Sequence, residues 1–136
     1  MSLSGADGLK SVVRPLVVGQ AAFDTALSSG ASAFRFTIPV ETLEANGFGG
    51  HRMMDPSKPV GLYVHIAMDP SNRSVVIYPC RAFKLLNFVA IVPDTMLERK
   101  SVESWTAEGS KEELINCFKD FDEETKRLLR HVQHSD

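Results

Sequence analysis

The first residues with chemistry in them form the turn Ser4-Gly5-Ala6-Asp7-Gly8, followed by Leu9-Lys10-Ser11-Val12-Val13-Arg14. Two glycines bracket a carboxylate, and a short helical turn is expected next, with Val12, Val13 and Leu16 as its apolar contacts. Glycine lets a backbone approach a phosphate closely, and the start of a helix favours negative charge. The same turn could serve as a plain connector, and only four residues precede it where a feeding strand would stand. Other reactive side chains are scattered. His131 and His134 lie three apart without a carboxylate or thiol at matching spacing, which reads as a solvated tail rather than a metal site. His65 sits within an apolar alternation and lacks a neighbouring Asp or Ser, so a structural or pocket-lining role is expected. Cys80 and Cys117 form no Cys-x-x-Cys pair and read as thiols, with Cys117 in the core. Asn72-Arg73-Ser74 fits the glycosylation pattern but reads as an ordinary turn. Gly47-x-Gly49 lacks the third glycine of a dinucleotide turn, because position 52 is Arg52.

The elements that must position these groups centre on residues 60–92. Three runs rich in β-branched and aromatic residues, 62–68, 74–79 and 84–92, are separated by Asp69-Pro70-Ser71-Asn72 and Cys80-Arg81-Ala82. That pattern predicts consecutive antiparallel strands. In the first run Leu62, Val64, Ile66 and Met68 alternate with Tyr63, His65 and Ala67, which suits one dry face and one mixed face. The third run is apolar on both faces except at Asn87, so it belongs in the middle of the sheet, and Asn87 marks a structural tie or a pocket wall. Upstream, the Gly/Ala/Ser-rich residues 17–32 read as a loop, 34–38 as a strand ended by Pro39, and 40–46 as two helical turns closed by Gly47. Downstream, Ser104-Trp105-Thr106 is expected to form a last short strand, with Trp105 as an anchor over the sheet. Ser110 opens one capped helix, with Leu114, Ile115 and Phe118 on its apolar face. Asp122 opens a second that is acidic at its start and basic at its end, with Leu128, Leu129 and Val132 inward. The expected fold is α+β, an antiparallel sheet with helices packed on one face, in a single domain over 1–136. Its parts are a turn segment 5–16, a sheet 33–106 and C-terminal helices 110–132.

With 136 residues the chain can bury one real core, and 43% hydrophobic with 24% charged residues is ordinary for a globular protein. A formal charge of -2 leaves no electrostatic footprint for nucleic acid. The longest apolar stretch falls well short of the roughly 20 residues that span a bilayer. Met1 to Ser4 has no charged segment leading into an apolar one, so a cytoplasmic location is expected.

The motif Gly-Ala-Asp-Gly-x-x-Ser-x-x-Arg over Gly5 to Arg14 resembles the Asp-Gly motif of the FAD-dependent aromatic-ring hydroxylases, the class of salicylate and p-hydroxybenzoate hydroxylases. Ala33-Phe34-Arg35-Phe36-Thr37-Ile38-Pro39, Tyr78-Pro79-Cys80-Arg81, Leu86-Asn87-Phe88-Val89-Ala90 and Glu103-Ser104-Trp105 follow in the order and spacing of the fungal salicylate-hydroxylase-like members. The likeness runs from Gly5 to about Leu129. It implies the fold of the family's middle domain, whose sheet covers the flavin ring and lines the aromatic pocket. It also implies cofactor-binding roles for Asp7, Gly8 and Arg14 near the FAD ribose and pyrophosphate, with a part in NAD(P)H use. Arg35, Tyr78 and Asn87 become candidate substrate-pocket residues, for which ordinary sheet packing is the alternative. No catalytic residue and no metal site is assigned.

That family holds FAD through a Gly-x-Gly-x-x-Gly unit before the Asp-Gly motif and a second FAD motif after the middle domain. Neither occurs in this sequence. Three readings are therefore open: a fragment of an FAD-dependent monooxygenase that acts with NAD(P)H, O2 and an aromatic or related small molecule but not alone; a cofactor-free small-molecule or protein-binding module; and an inactive remnant. On the first, the partner is the FAD-binding portion of the enzyme. Apolar surface around Val12, Val13 and the start of the sheet would mark where that portion packs.

Overall fold

A computed structural model describes residues 4–8, 11–19, 28–97 and 110–132. Its centre is a four-stranded sheet in the order β1-β4-β3-β2, antiparallel throughout. The strands are β1 (Ala31–Pro39), β2 (Tyr63–Ile66), β3 (Ser74–Cys80) and β4 (Leu85–Pro93). The three expected runs pair consecutively, and β4 lies in the interior, as its two apolar faces require. β1 joins on the far side of β4, with Ala31 opposite Pro93 and Pro39 opposite Leu85. It begins three residues before the expected 34–38 strand, within a Gly/Ala/Ser stretch that composition assigns to a loop. Pairing with β4 supplies its backbone hydrogen bonds whatever its side chains prefer. β2 is shorter than 62–68, although the Ala67 N–H still donates across to Arg73 O at 2.9 Å before the turn.

Both hairpin turns use left-handed backbone. Asn72 (φ 54°) closes the first, a conformation Asn tolerates. The second carries three consecutive non-glycine residues with positive φ, Arg81 (48°), Ala82 (52°) and Phe83 (61°). That is a strained way to turn.

One sheet face is dry. Phe36, Ile38, Val75, Ile77, Leu86, Phe88, Ala90 and Val92 are buried there, and the Phe36 and Phe88 rings stack at 5.0 Å. They share a core with Leu43 and Phe48, with Met53 and Met54, and with the C-terminal helices. α2 (Val40–Leu43) runs into a wider turn, Glu44–Phe48, closed by Gly47 at φ 86°. α3 (Lys111–Cys117) is capped by the Ser110 hydroxyl, which accepts from the Glu113 N–H at 3.3 Å. α4 (Glu123–Arg130) is capped by Asp122, which accepts from the Thr125 N–H at 2.9 Å. Leu114, Cys117, Phe118, Leu128, Leu129 and Val132 are the inward residues of this pair. The proposed tail residue His131 is tied down, with its ring edge-on to Phe48 at 6.0 Å. Trp105, the 104–106 strand and His134 lie outside the described residues.

Two expectations are reversed. In β2 it is the apolar row that faces away from the helices, with Leu62 at 64%, Val64 at 44%, Ile66 at 60% and Met68 at 98% exposure. Tyr63 and His65 turn inward because polar partners wait there: the Arg52 guanidinium lies 5.0 Å over the Tyr63 ring, and Thr125 meets His65. In α1 (Val13–Val18) no residue is buried: Val12 and Leu16 do not pack as the helical turn was expected to, and their exposure is instead the apolar surface expected around Val12.

Candidate functional site

The sheet face opposite the helices carries the sequence-derived pocket residues. Its side chains are exposed or half-buried, so no described element covers it. Strand register arranges it in rows. Pro39, Leu85 and Cys80 form one row, and Thr37, Asn87 and Tyr78 the next. Arg35, Val89, Val76 and Val64 form the third, and Ala33, Ile91, Ser74 and Ile66 the fourth. Tyr78 and Asn87 are direct cross-strand partners, and Arg35 lies one row away on β1. All three share a face because each strand places alternate residues on one side. The surface is largely apolar, with a polar row across it and Arg35 and Ser74 in the rows beyond. Thr37 belongs to that row and was not singled out in the sequence; its opposition to Asn87 is set by long-range register.

The Asp7 turn is a separate construction. The Asp7 carboxylate accepts from the Val12 N–H at 2.8 Å and the Val13 N–H at 3.2 Å. The Ser11 hydroxyl, which accepts from the Arg14 N–H at 2.9 Å, completes the cap. Hydrogen bonding from Ser11 first, and from the Val13 and Val12 amides, holds the Asp7 carboxyl below its ordinary range against the opposing effect of burial. Arg14 donates to Gly8 O at 3.1 Å, and Gly8 has φ 76° with open space where a Cβ would stand. The free face of Gly8 fits close approach by a ligand. The helix start does not fit a pyrophosphate, since its first amides are already taken by Asp7 and Ser11. These residues alone therefore form no FAD cradle, and no chemical step is assigned to them.

A third cluster, absent from the sequence reading, lies where the β2–β3 turn meets the helices. Arg73 is 5% exposed and donates to Asp120 Oδ1 and Oδ2, both at 2.6 Å, to Asp69 Oδ2 at 2.9 Å and to Cys117 O at 2.5 Å. Its hydrogen bonds to Asp120, followed by Asp69, raise the guanidinium pKa against the opposing effect of burial, and they hold the Asp120 carboxyl down to about 2. Beside it Thr125 Oγ1 donates to Asp122 Oδ2 at 2.6 Å and lies 2.8 Å from His65 Nδ1. Since the hydroxyl proton goes to Asp122, His65 Nδ1 is the donor to Thr125. These groups line an open cleft, but they satisfy one another and read as a latch between sheet and helices. Among the described residues no group of three His, Cys, Asp or Glu could hold a metal, and no helix is long and apolar enough to cross a membrane.

No protein-family model matches the sequence. The FAD-dependent monooxygenase ntnJ of Nectria sp is 32% identical over 124 residues, covering 91% of this chain and 27% of its own length. Hispidin-3-hydroxylase of Neonothopanus nambi is 27% identical over 143 residues, covering 95% of this chain and 31% of its own length. Among solved structures, a salicylate hydroxylase substrate complex superposes with a TM-score of 0.61 at 23% identity, covering 93% of this chain and 31% of that one. The curated relatives that match over most of this chain are FAD-dependent monooxygenases, as a fragment of such an enzyme would be. It spans less than a third of the relatives it matches.

Proposed function

We propose that this chain is the substrate-covering part of an FAD-dependent monooxygenase that uses NAD(P)H and O2 to hydroxylate an aromatic or related small molecule. It works as one domain, in the cytoplasm, with the FAD-binding portion of such an enzyme as its partner. The observation that carries the reading is the uncovered sheet face, on which Arg35, Tyr78 and Asn87 share a largely apolar surface. When bound, the flavin supplies the oxygen chemistry. The chain's own share is to bind the ring of the substrate, orient it with the polar row and exclude water with Val76, Val89 and the β2 row. Arg35 stands at the edge of that surface, one row from Asn87. A second reading, a cofactor-free binding module, is favoured by one observation: the α1 start spends its amides on Asp7 and Ser11 rather than on a ligand.

The test is methyl-labelled NMR of the chain with salicylate and with lumiflavin, an isoalloxazine that lacks the nucleotide. Shifts at Val64, Val76 and Val89 are expected for both. Shifts from salicylate alone would select the cofactor-free module, and none on that face would refute the assignment of the open face.

A further inference from the structure

From the two ring nitrogens of His51 we infer a proton-operated fastening between the short helical turn Arg52–Met54 and α4. The backbone decides the tautomer. The Met53 N–H can only donate, so His51 Nδ1, 3.3 Å away, is its acceptor and carries no proton. The ring proton therefore sits on Nε2 and is donated to Glu124 Oε1 at 3.0 Å. One nitrogen caps the Arg52–Met54 turn while the other holds the first turn of α4. Only the neutral imidazole does both. A second proton has to enter at Nδ1, where it would face the Met53 N–H, so the charged ring keeps Glu124 and gives up the cap. Imidazole is the side chain whose ordinary charge change falls between about pH 5 and pH 8.

The surrounding charges leave Glu124 to meet the imidazolium. Glu123 and Arg127 of α4 line the same cleft, but Glu123 pairs with Lys126 and Arg130. Arg127 lies 4.6 Å over the Phe48 ring and donates to Asn46 O at 3.3 Å. The turn itself stays docked, since Met53 and Met54 are buried and the Met54 N–H donates to His51 O at 2.9 Å. What loosens is the Met53 amide and, beside it, Arg52, whose guanidinium lies 5.0 Å over the Tyr63 ring. His65 provides the contrast on the same helix. Its Nδ1 already donates to Thr125, with Asp122 Oδ2 at 3.7 Å, so a second proton enters at Nε2 and displaces no hydrogen bond among the described residues. Asp69, Arg73 and Asp120 line the cleft around it, and with Asp122 they leave that cleft net negative. Acid thus releases the cap at His51 and strengthens the hold of β2 on α4 at His65.

The test compares the chain by NMR at about pH 8 and about pH 5. Long-range nitrogen–proton spectra at the upper pH should show the His51 proton on Nε2. The hydrogen-exchange protection of the Met53 amide, corrected for the intrinsic effect of pH, should fall between about twofold and tenfold toward the lower pH, the range for loss of one hydrogen bond. His51→Asn, whose amide caps a turn without titrating, should keep that protection at both. His65→Asn should lose it as the parent does. The tautomer is read on the parent chain and needs no variant to fold. A proton on Nδ1 at the upper pH, an unchanged Met53 amide in the parent, an equal fall in His51→Asn, or a fall that His65→Asn abolishes would each overturn the fastening.

Discussion

Arg73→Met removes the guanidinium that fastens the β2–β3 turn to the end of α3, while keeping most of the stem volume. Arg73 is buried at 5% exposure, and its fork meets Asp120 through two 2.6 Å hydrogen bonds and the Cys117 carbonyl through a third. It also lies 5.3 Å from the centre of the Phe121 ring. Breaking a fully buried pair costs about 3–5 kcal/mol, because a charge is left without water. That figure is too high here, since the Asp120 and Asp69 side chains are 55% and 41% exposed and can rehydrate. What cannot rehydrate is the carbonyl of buried Cys117, and losing a charged hydrogen bond to it costs roughly 1.5–3 kcal/mol. The expected loss is therefore about 2–3 kcal/mol, a large share of the 5–15 kcal/mol typical of a domain. Urea unfolding followed by circular dichroism should show a lower midpoint with an unchanged slope. Asp120→Asn should cost less, and the double variant less than the sum, because the two residues share one interaction. A midpoint unchanged by Arg73→Met, or strictly additive effects, would refute the latch.

Ala82→Gly should stabilise the chain by up to about 1 kcal/mol, because a left-handed L residue costs 1–2 kcal/mol and glycine gives back part of the gain in backbone entropy; a lower urea midpoint would contradict this. Ile66→Thr should change stability by no more than about 0.5 kcal/mol, the usual range for an exposed site, whereas a loss near 2 kcal/mol would mean that the β2 apolar row faces the core after all. In acid, Asp120 has its folded pKa depressed to about 2 from an ordinary 3.8. Its contribution is thus fully present above the ordinary value and is lost as pH falls through about 2. Melting temperatures measured from pH 5 to pH 2 should fall less steeply for Asp120→Asn than for the parent, and parallel curves would contradict the assignment.

The order of the three central strands could be read from the sequence because turn chemistry and β-branched runs are local signals. The interior position of β4 followed from its two apolar faces, and the helix caps from Ser110 and Asp122 with the residues just after them. The common face of Arg35, Tyr78 and Asn87 depends on register, which a single sequence does not specify across the gap from β1 to β4. Thr37 was missed for the same reason. Arg73 and Asp120 are 47 residues apart, and His65 and Thr125 are 60 apart, so neither contact leaves a spacing to detect. The β2 alternation was legible as a period, but not its direction. Hydrophobicity puts Leu62, Val64, Ile66 and Met68 inward, and the helices instead offer hydrogen-bonding and cationic partners to His65 and Tyr63. Gly8 takes the left-handed backbone that glycine permits, while the capping role of Asp7 depended on which amides its carboxylate would reach.

The division of labour between this chain and a separate flavin-holding portion is tested most directly by calorimetric titration of FAD into the chain. Binding must first offset several kcal/mol of lost translational and rotational freedom, and the α1 start has no amides left for the pyrophosphate. The predicted result is an affinity no tighter than high micromolar, little changed by Asp7→Ala. Stoichiometric low-micromolar binding that Asp7→Ala abolishes would contradict it and make the chain a flavin-binding unit by itself.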